Sequence, residues 1–307
     1  MTARLTGSGW ELRAQEGDYP ASLRDLERPP EVIYGRGDPE ALMGPCVSIV
    51  GSRRATPYGI AIAEMAARAA AQRGITVVSG GALGCDHAAG MAALRAGGRT
   101  VVVSGCGADV VYPSSSRDVY EGAVAAGGAV VSEQRWGVGP RRWAFPRRNV
   151  LIAALSRVLV VTEAGVRSGT LSTAEAAVEL GRTVYAIPGS IFSPSSMGTN
   201  RLISEGARVI PDERSLVLAL SLDYGAPALE AESARPDPGP VMRALLASPL
   251  RPDDLATRLG DSVLTVLRTL TDYEASGLVE RLPDGRYAPS RAYLAGEPEQ
   301  RAGLGRA

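Results

Sequence analysis

The chain has 307 residues, of which 45% are hydrophobic and 21% charged, and 33 basic side chains balance 33 acidic ones. That length suits one large domain plus a small one, with the composition of a soluble globular protein. Zero net charge excludes a global field for a polyanion, so any polyanionic partner needs a local patch.

Every basic residue is an arginine. Three cysteines (Cys46, Cys85, Cys106) and one histidine (His87) are scattered without ligand spacing. This argues against a disulfide framework, a zinc site and a Ser-His-Asp triad. The chain shows neither a cationic-then-apolar leader nor an apolar run of spanning length, so the cytoplasm is the expected compartment.

In chain order, residues 1–40 are expected to form an extension packing on the core. From 41 to 221 short β-branched runs alternate with alanine-rich helical stretches. The runs are Val47–Val50, Ile75–Val78, Thr100–Val103, Ala129–Val131, Val158–Val161, Thr183–Ile187 and Arg208–Ile210. The helical stretches include Pro57–Gln72, His87–Ala96, Arg117–Ala126 and Thr170–Leu180. Near-continuous apolar strands alternating with helices predict an α/β fold, a Rossmann-like, doubly wound, mostly parallel sheet. Ligands are then expected at the carboxyl ends of the strands.

Those ends carry glycine-rich corners. In "SIVGSRRATPYG" Gly51 permits close approach, Ser52 offers a hydroxyl and Arg53 a planar fork for phosphate, while Arg54 reads as surface. Pro57 marks a helix start whose free N–H groups face the loop. In "SGGALGCD" the amides of Ser79, Gly80 and Gly81 suit an anion. Asp86 reads there as a helix cap, and Cys85 and His87 as packing and helix-surface residues without a visible partner. A third corner, "VSGCGADVVYP", ends the next strand. A fourth places Ser168, Gly169 and Thr170 ahead of a helix. Neither G-x-G-x-x-G nor G-x-x-x-x-G-K occurs in these corners, so they read as a long floor for phosphates.

The segment Gln134–Asn149, "QRWGVGPRRWAFPRRN", holds Arg135, Arg141, Arg142, Arg147 and Arg148 and no acid. It also holds Trp136 and Trp143 of the chain's three tryptophans, and Phe145 of its two phenylalanines. Arginines interleaved with scarce aromatics suit single-stranded nucleic acid, where bases stack on rings. Composition equally allows a loop whose aromatics pack on the sheet and whose arginines are solvated. The glycine-rich floor favours nucleic acid.

Residues 222–239 are rich in Pro, Ala and acids and read as a linker. Residues 240–290 show three short helical patterns, then a hairpin around Asp284-Gly285, which predicts a winged-helix module. Its third helix offers Arg268 among Thr265, Thr269 and Asp272, a poor set for reading a DNA groove. Residues 291–307 read as a tail.

Taken in order, "DYPASLRDLERPPEVIYGRG", "SIVGSRRATPYG", "VVSGGALGCDHAAGMAAL", "VVSGCGADVVYP", "VSEQRWGVGPRRWAFPRRNVLIAAL", "VVTEAGVRSGTLSTAEAA" and "AIPGSIFSPSSMGTNRLISEGA" resemble the DNA-processing protein A (DprA/Smf) family. The resemblance implies an extended Rossmann domain that binds single-stranded DNA and hands it to the RecA recombinase in natural transformation, working as a homodimer. It implies DNA-site roles for Arg53, Phe145, Arg148 and Asn149, and no cofactor. Two positions depart from the family pattern: Gly90 stands where a histidine is usual, and Val150 where an arginine is. Arg142 and Arg147 are expected to compensate for the latter.

A competing reading is a nucleotide-processing enzyme of the phosphoribohydrolase-like Rossmann class, with Glu175 as general base. "RSGTLSTAE" places that glutamate later than the pattern needs. A third reading makes the winged helix a DNA-reading regulator. With no Walker lysine and no clustered carboxylates for magnesium, the sequence favours a non-enzymatic protein.

Overall fold

The computed structural model describes residues 3–226 and 238–295, which fall into two compact units divided after Ala231. The first unit contains strands β1 (Ala3–Arg4), β2 (Gly9–Arg13), β3 (Val32–Gly37), β4 (Cys46–Val50), β5 (Thr76–Ser79), β6 (Thr100–Val103), β7 (Val110–Val111), β8 (Ala129–Ser132), β9 (Val158–Val161), β10 (Thr183–Ala186) and β11 (Arg208–Val209). Its helices are α1 (Ala21–Arg24), α2 (Pro57–Ala71), α3 (Cys85–Arg95), α4 (Arg117–Ala125), α5 (Ala144–Leu155), α6 (Thr170–Glu179), α7 (Met197–Ser204) and α8 (Glu213–Tyr224).

Among the described residues nine strands form one sheet, ordered β11-β10-β9-β4-β5-β6-β8-β3-β2. From β11 to β8 every pairing is parallel. The reason lies in the side chains: β4, β5, β6, β8 and β9 are buried along their whole length, which requires helices on both faces. Alternation along β4 divides the core. Cys46 and Val50 join Leu151 and Leu155 of α5 on one face, while Val47 and Ile49 join the alanines of α2 and α3 on the other.

The N-terminal segment extends the sheet itself. β3 pairs antiparallel with β8, Tyr34 opposite Ser132, and β2 pairs antiparallel with β3. The Trp10 indole N–H donates to the Gly37 carbonyl at 2.8 Å, pinning the edge strand. Two further differences from the sequence expectation concern helix ends. α5 begins at Ala144, so the arginine-aromatic segment finishes as helix. α8 continues through Leu222, Asp223 and Tyr224, into the stretch read as linker, and the Tyr224 hydroxyl donates to the Cys46 carbonyl. Most of the remaining linker lies outside the described residues.

The second unit is helices α9 (Gly239–Ala247), α10 (Pro252–Leu259) and α11 (Val263–Ala275), then hairpin strands β12 (Val279–Arg281) and β13 (Tyr287–Pro289). Met242, Leu245, Leu255, Val266, Leu270 and Tyr287 form its core. Gly285 takes the positive φ (82°) that the tight turn demands. This is the winged-helix module predicted from the sequence. On α11, Arg268 shares the exposed surface with Leu264 and Leu267. A short helix, α12 (Arg291–Ala295), occupies the start of the segment read as a tail. Among the described residues no helix is long and apolar enough to cross a membrane.

Candidate functional site

The loops that follow β4, β5, β6 and β9 meet at the carboxyl edge of the sheet, and side chains tie them together. The Thr170 hydroxyl donates to the Gly51 carbonyl at 2.9 Å, joining the fourth corner to the first. Ser168 Oγ in turn accepts the Thr170 amide and donates to the Thr170 hydroxyl. Asn149 Nδ2, from α5, donates to the Gly169 carbonyl at 3.3 Å and to Ser172 Oγ at 3.1 Å. The Arg148 guanidinium donates to the carbonyls of Gly80 and Val103, joining the second corner to the third.

Arg148 is therefore a buried strut beneath the floor, with 4% of its surface exposed. The sequence had placed it among the arginines that contact the DNA strand. Burial pulls its pKa below the ordinary value, and the neighbouring Asp86 carboxylate partly restores it. Ser79 is likewise internal, its hydroxyl donating to the Ile49 carbonyl at 2.7 Å. Gly81 is buried and positive in φ (63°).

Two buried carboxylates change how the corners work. Asp86 was expected to cap α3, but α3 starts at Cys85 with Gly84 as its N-cap and no side-chain cap. Asp86 instead accepts from the Gly51 amide at 3.4 Å and the Gly80 amide at 3.1 Å. Burial pushes its carboxyl above the usual carboxylate range, against the pull of Arg148 and the two amides. Glu163, which sequence reasoning passed over, does the same for α2. Its carboxylate accepts from the Thr56 amide at 2.9 Å and the Thr56 hydroxyl at 2.6 Å. The start of α2 that was expected to face an outside anion thus meets an internal one. The Gly51, Gly80 and Thr56 amides are thus already served from within, so at those points recognition of an external anion falls to side chains.

The exposed side-chain layer centres on Phe145. The Arg53 guanidinium carbon stands 5.5 Å from the ring centre and that of Arg148 5.8 Å. Tyr112 packs on the ring at 5.7 Å between centroids. The ring also lies on Gly105, where a Cβ would come within 2.9 Å of it, so only glycine leaves room. Arg53, Arg142 and Trp143 are exposed, Trp143 by 50%. Arg147 is exposed too, but pairs with Glu133 at 2.9 Å. Ser52 is half-buried, its hydroxyl accepting the Arg54 amide at 3.2 Å.

Some candidates fall elsewhere. His87 has a partner after all: its Nε2 meets Asp118 Oδ1 at 2.9 Å. Against the upward push of partial burial, His87 and the Val119 amide hold the Asp118 carboxyl below its ordinary value. Glu175, the general base of the competing reading, is exposed on α6. Among the described residues no group of His, Cys, Asp or Glu has the geometry to hold a metal ion. Gly90 lets α4 approach α3, since a Cβ there would lie 2.4 Å from Val119 Cγ2. Val150, within α5, is partly buried against the core.

Comparison with known proteins follows the same outline. The family model for DNA recombination-mediator protein A matches residues 11–221, and that for the DprA winged helix domain matches residues 225–285. Protein Smf of Escherichia coli is 34% identical over 283 residues, covering 89% of this chain and 76% of that protein. DNA processing protein DprA of Streptococcus pneumoniae is 40% identical over 192 residues, 62% of this chain and 67% of its own length. A solved structure of DNA processing protein A from Helicobacter pylori, concerned with its single-stranded DNA binding mode, superposes with a TM-score of 0.64 at 32% identity. That match covers 70% of this chain and 97% of the Helicobacter pylori chain.

Proposed function

This chain belongs to the DNA-processing protein A (DprA/Smf) family, and from that premise we propose that it is a non-enzymatic mediator that holds single-stranded DNA on the strand-end floor. The observation that carries the reading is Phe145, a half-buried ring in contact with Arg53 and Tyr112 and preceded in the chain by exposed Arg142 and Trp143. A ring offers its face to any base, and an arginine fork grips a backbone phosphate, which is sequence-tolerant binding. The likeness to the Helicobacter pylori protein supports it.

In this reading Ser52, Arg53, Arg142, Phe145, Asn149, Ser168 and Gly169 face the strand. Gly51, Ser79, Gly80, Gly81, Arg148 and Thr170 hold the floor rigid beneath it, and Arg147 contributes once it exchanges Glu133 for a phosphate. The protein acts as a homodimer and passes the strand to RecA recombinase during transformation or recombination.

The test is single-stranded DNA binding by the full chain and by a chain ending at Gly225, with light scattering for stoichiometry. The proposal expects both to bind. A second assay, RecA filament formation on protein-bound DNA with and without this chain, tests the mediator role. Loss of binding on truncation would move the site to the winged helix.

A further inference from the structure

We propose that the Ile191-Phe192 tip, in the loop between β10 and α7, is a second base-stacking station at the opposite end of the floor from Phe145. The proposal rests on the reading of that floor as a track for single-stranded DNA. The chain has two phenylalanines, and both stand at carboxyl ends of the sheet. Phe192 is 82% exposed and Ile191 77% exposed, side chains that a globular fold normally buries.

The tip is held in place at its base. The Gly189 amide donates to Asn200 Oδ1 at 3.1 Å, and Asn200 Nδ2 donates back to the Gly189 carbonyl at 3.0 Å. The Tyr58 hydroxyl donates to the Pro188 carbonyl at 2.7 Å. The Phe192 amide itself donates to Ser190 Oγ at 3.3 Å, and the Ser193 amide to the Ser190 carbonyl at 3.0 Å, closing a turn that presents the ring outward. At the far side of the loop the Gly198 amide donates to the Ala164 carbonyl at 2.7 Å, which docks the loop on the corner after β9.

Sheet order places the corners that carry the two rings along one edge. Phe145 lies on the corner after β6, and the tip follows β10, with β5, β4 and β9 between them in that order. Neighbouring strands are about 4.8 Å apart, so the corners are separated by about 19 Å. That is roughly the rise of five or six stacked nucleotides at ~3.4 Å each, and of fewer in an extended strand. Arg53 and the Ser168–Thr170 turn occupy the interval. The segment from Pro188 to Gly198 carries no charge, and the adjoining loop supplies the exposed Arg167. Exposed rings and arginines along one surface are the combination that binds nucleic-acid strands without reading sequence.

The experiment is fluorescence anisotropy of the full chain with a labelled oligothymidine of about 20 nucleotides, a length within the site sizes that stacking platforms cover when two copies act. Phe192→Ala is expected to bind about fivefold more weakly or worse, the equivalent of ~1 kcal/mol of lost stacking. Phe192→Trp is expected to retain affinity and to show tryptophan quenching by oligothymidine beyond the wild-type change, and less quenching by an abasic strand of equal length. Wild-type affinity in Phe192→Ala, with Arg53→Ala still weakened, would overturn the proposal and leave the floor reading standing. A changed molar mass of Phe192→Ala in light scattering with unchanged DNA affinity would also overturn it, making the tip a contact between copies. No binding by the wild-type chain would overturn the floor reading and this proposal together.

Discussion

The Arg53 guanidinium carbon lies 5.5 Å from the centre of the Phe145 ring. That contact joins the corner after β4 to the first turn of α5. A cation over a ring contributes about 0.5–1 kcal/mol at an exposed site, enough to hold the fork in one orientation. Phe145→Ala is expected to weaken single-stranded DNA binding by about 1–3 kcal/mol, the worth of one stacked base. Phe145→Leu, which keeps apolar volume without a ring face, is expected to lose nearly as much. Parallel anisotropy titrations of the two variants separate stacking from packing.

Asp86 and Arg148 are expected to matter for stability first. Asp86→Ala strands the Gly51 and Gly80 amides and leaves the Arg148 charge buried without its counter-charge. Each buried group left without its partner costs about 1–3 kcal/mol. Asp86→Asn, which keeps an acceptor oxygen for one of the two amides, is therefore expected to be more stable than Asp86→Ala. Urea denaturation midpoints check the order.

The three thiols are buried, and burial pushes their pKa above the ordinary thiol value, Cys46 and Cys85 up to about 12 and Cys106 up to about 11. A folded-state pKa above the unfolded one means that the native chain keeps protons which the unfolded chain releases. Stability from these groups is complete below about pH 9 and falls as the pH rises from there toward 12. Native protein is expected to resist thiol-specific labelling at pH 8 and to label fully in denaturant. Urea midpoints at pH 8 and pH 10 should differ, the alkaline one being lower.

Gly90→Ala sets two effects against each other. Glycine in a helix interior ordinarily costs about 1 kcal/mol relative to alanine. Here the new Cβ would lie 2.4 Å from Cγ2 of Val119, a buried β-branched side chain with little freedom to move. Overpacking costs about 1–3 kcal/mol, so the clash wins and the variant is expected to be less stable. Adding Val119→Ala should recover part of the loss. Thermal denaturation of the single and double variants measures it.

The parallel sheet was readable because strands buried on both faces must be apolar throughout, and each predicted run from Val47–Val50 to Arg208–Ile210 corresponds to a strand of the sheet. The antiparallel edge was not, since "GWELR" and "VIYGRG" are half-exposed and interrupted by charged residues and glycine. The helix of α5 hid behind Pro146 and a run of arginines that read as loop. At the site, sequence singled out Arg53, Phe145 and Asn149, which the fold brings to one edge. It misjudged Asp86 and His87, and gave no sign that Arg148 is buried, because their partners (Gly51, Asp118, Val103) lie on other elements, far along the chain. An acid ending a glycine-rich corner was the available signal for Asp86. The worth of Tyr112 and Gly105 depends wholly on where Phe145 lands.

The most direct test of the strand-end floor is a salt series of single-stranded DNA titrations with the wild-type chain and Arg53→Ala. The wild type should bind oligonucleotides of different sequence with similar affinity, with log K falling linearly against log salt at ~0.7 per neutralised phosphate. Arg53→Ala should bind every sequence more weakly and lower the slope by about 0.7. Equal affinity and equal slope in the two proteins would contradict the account.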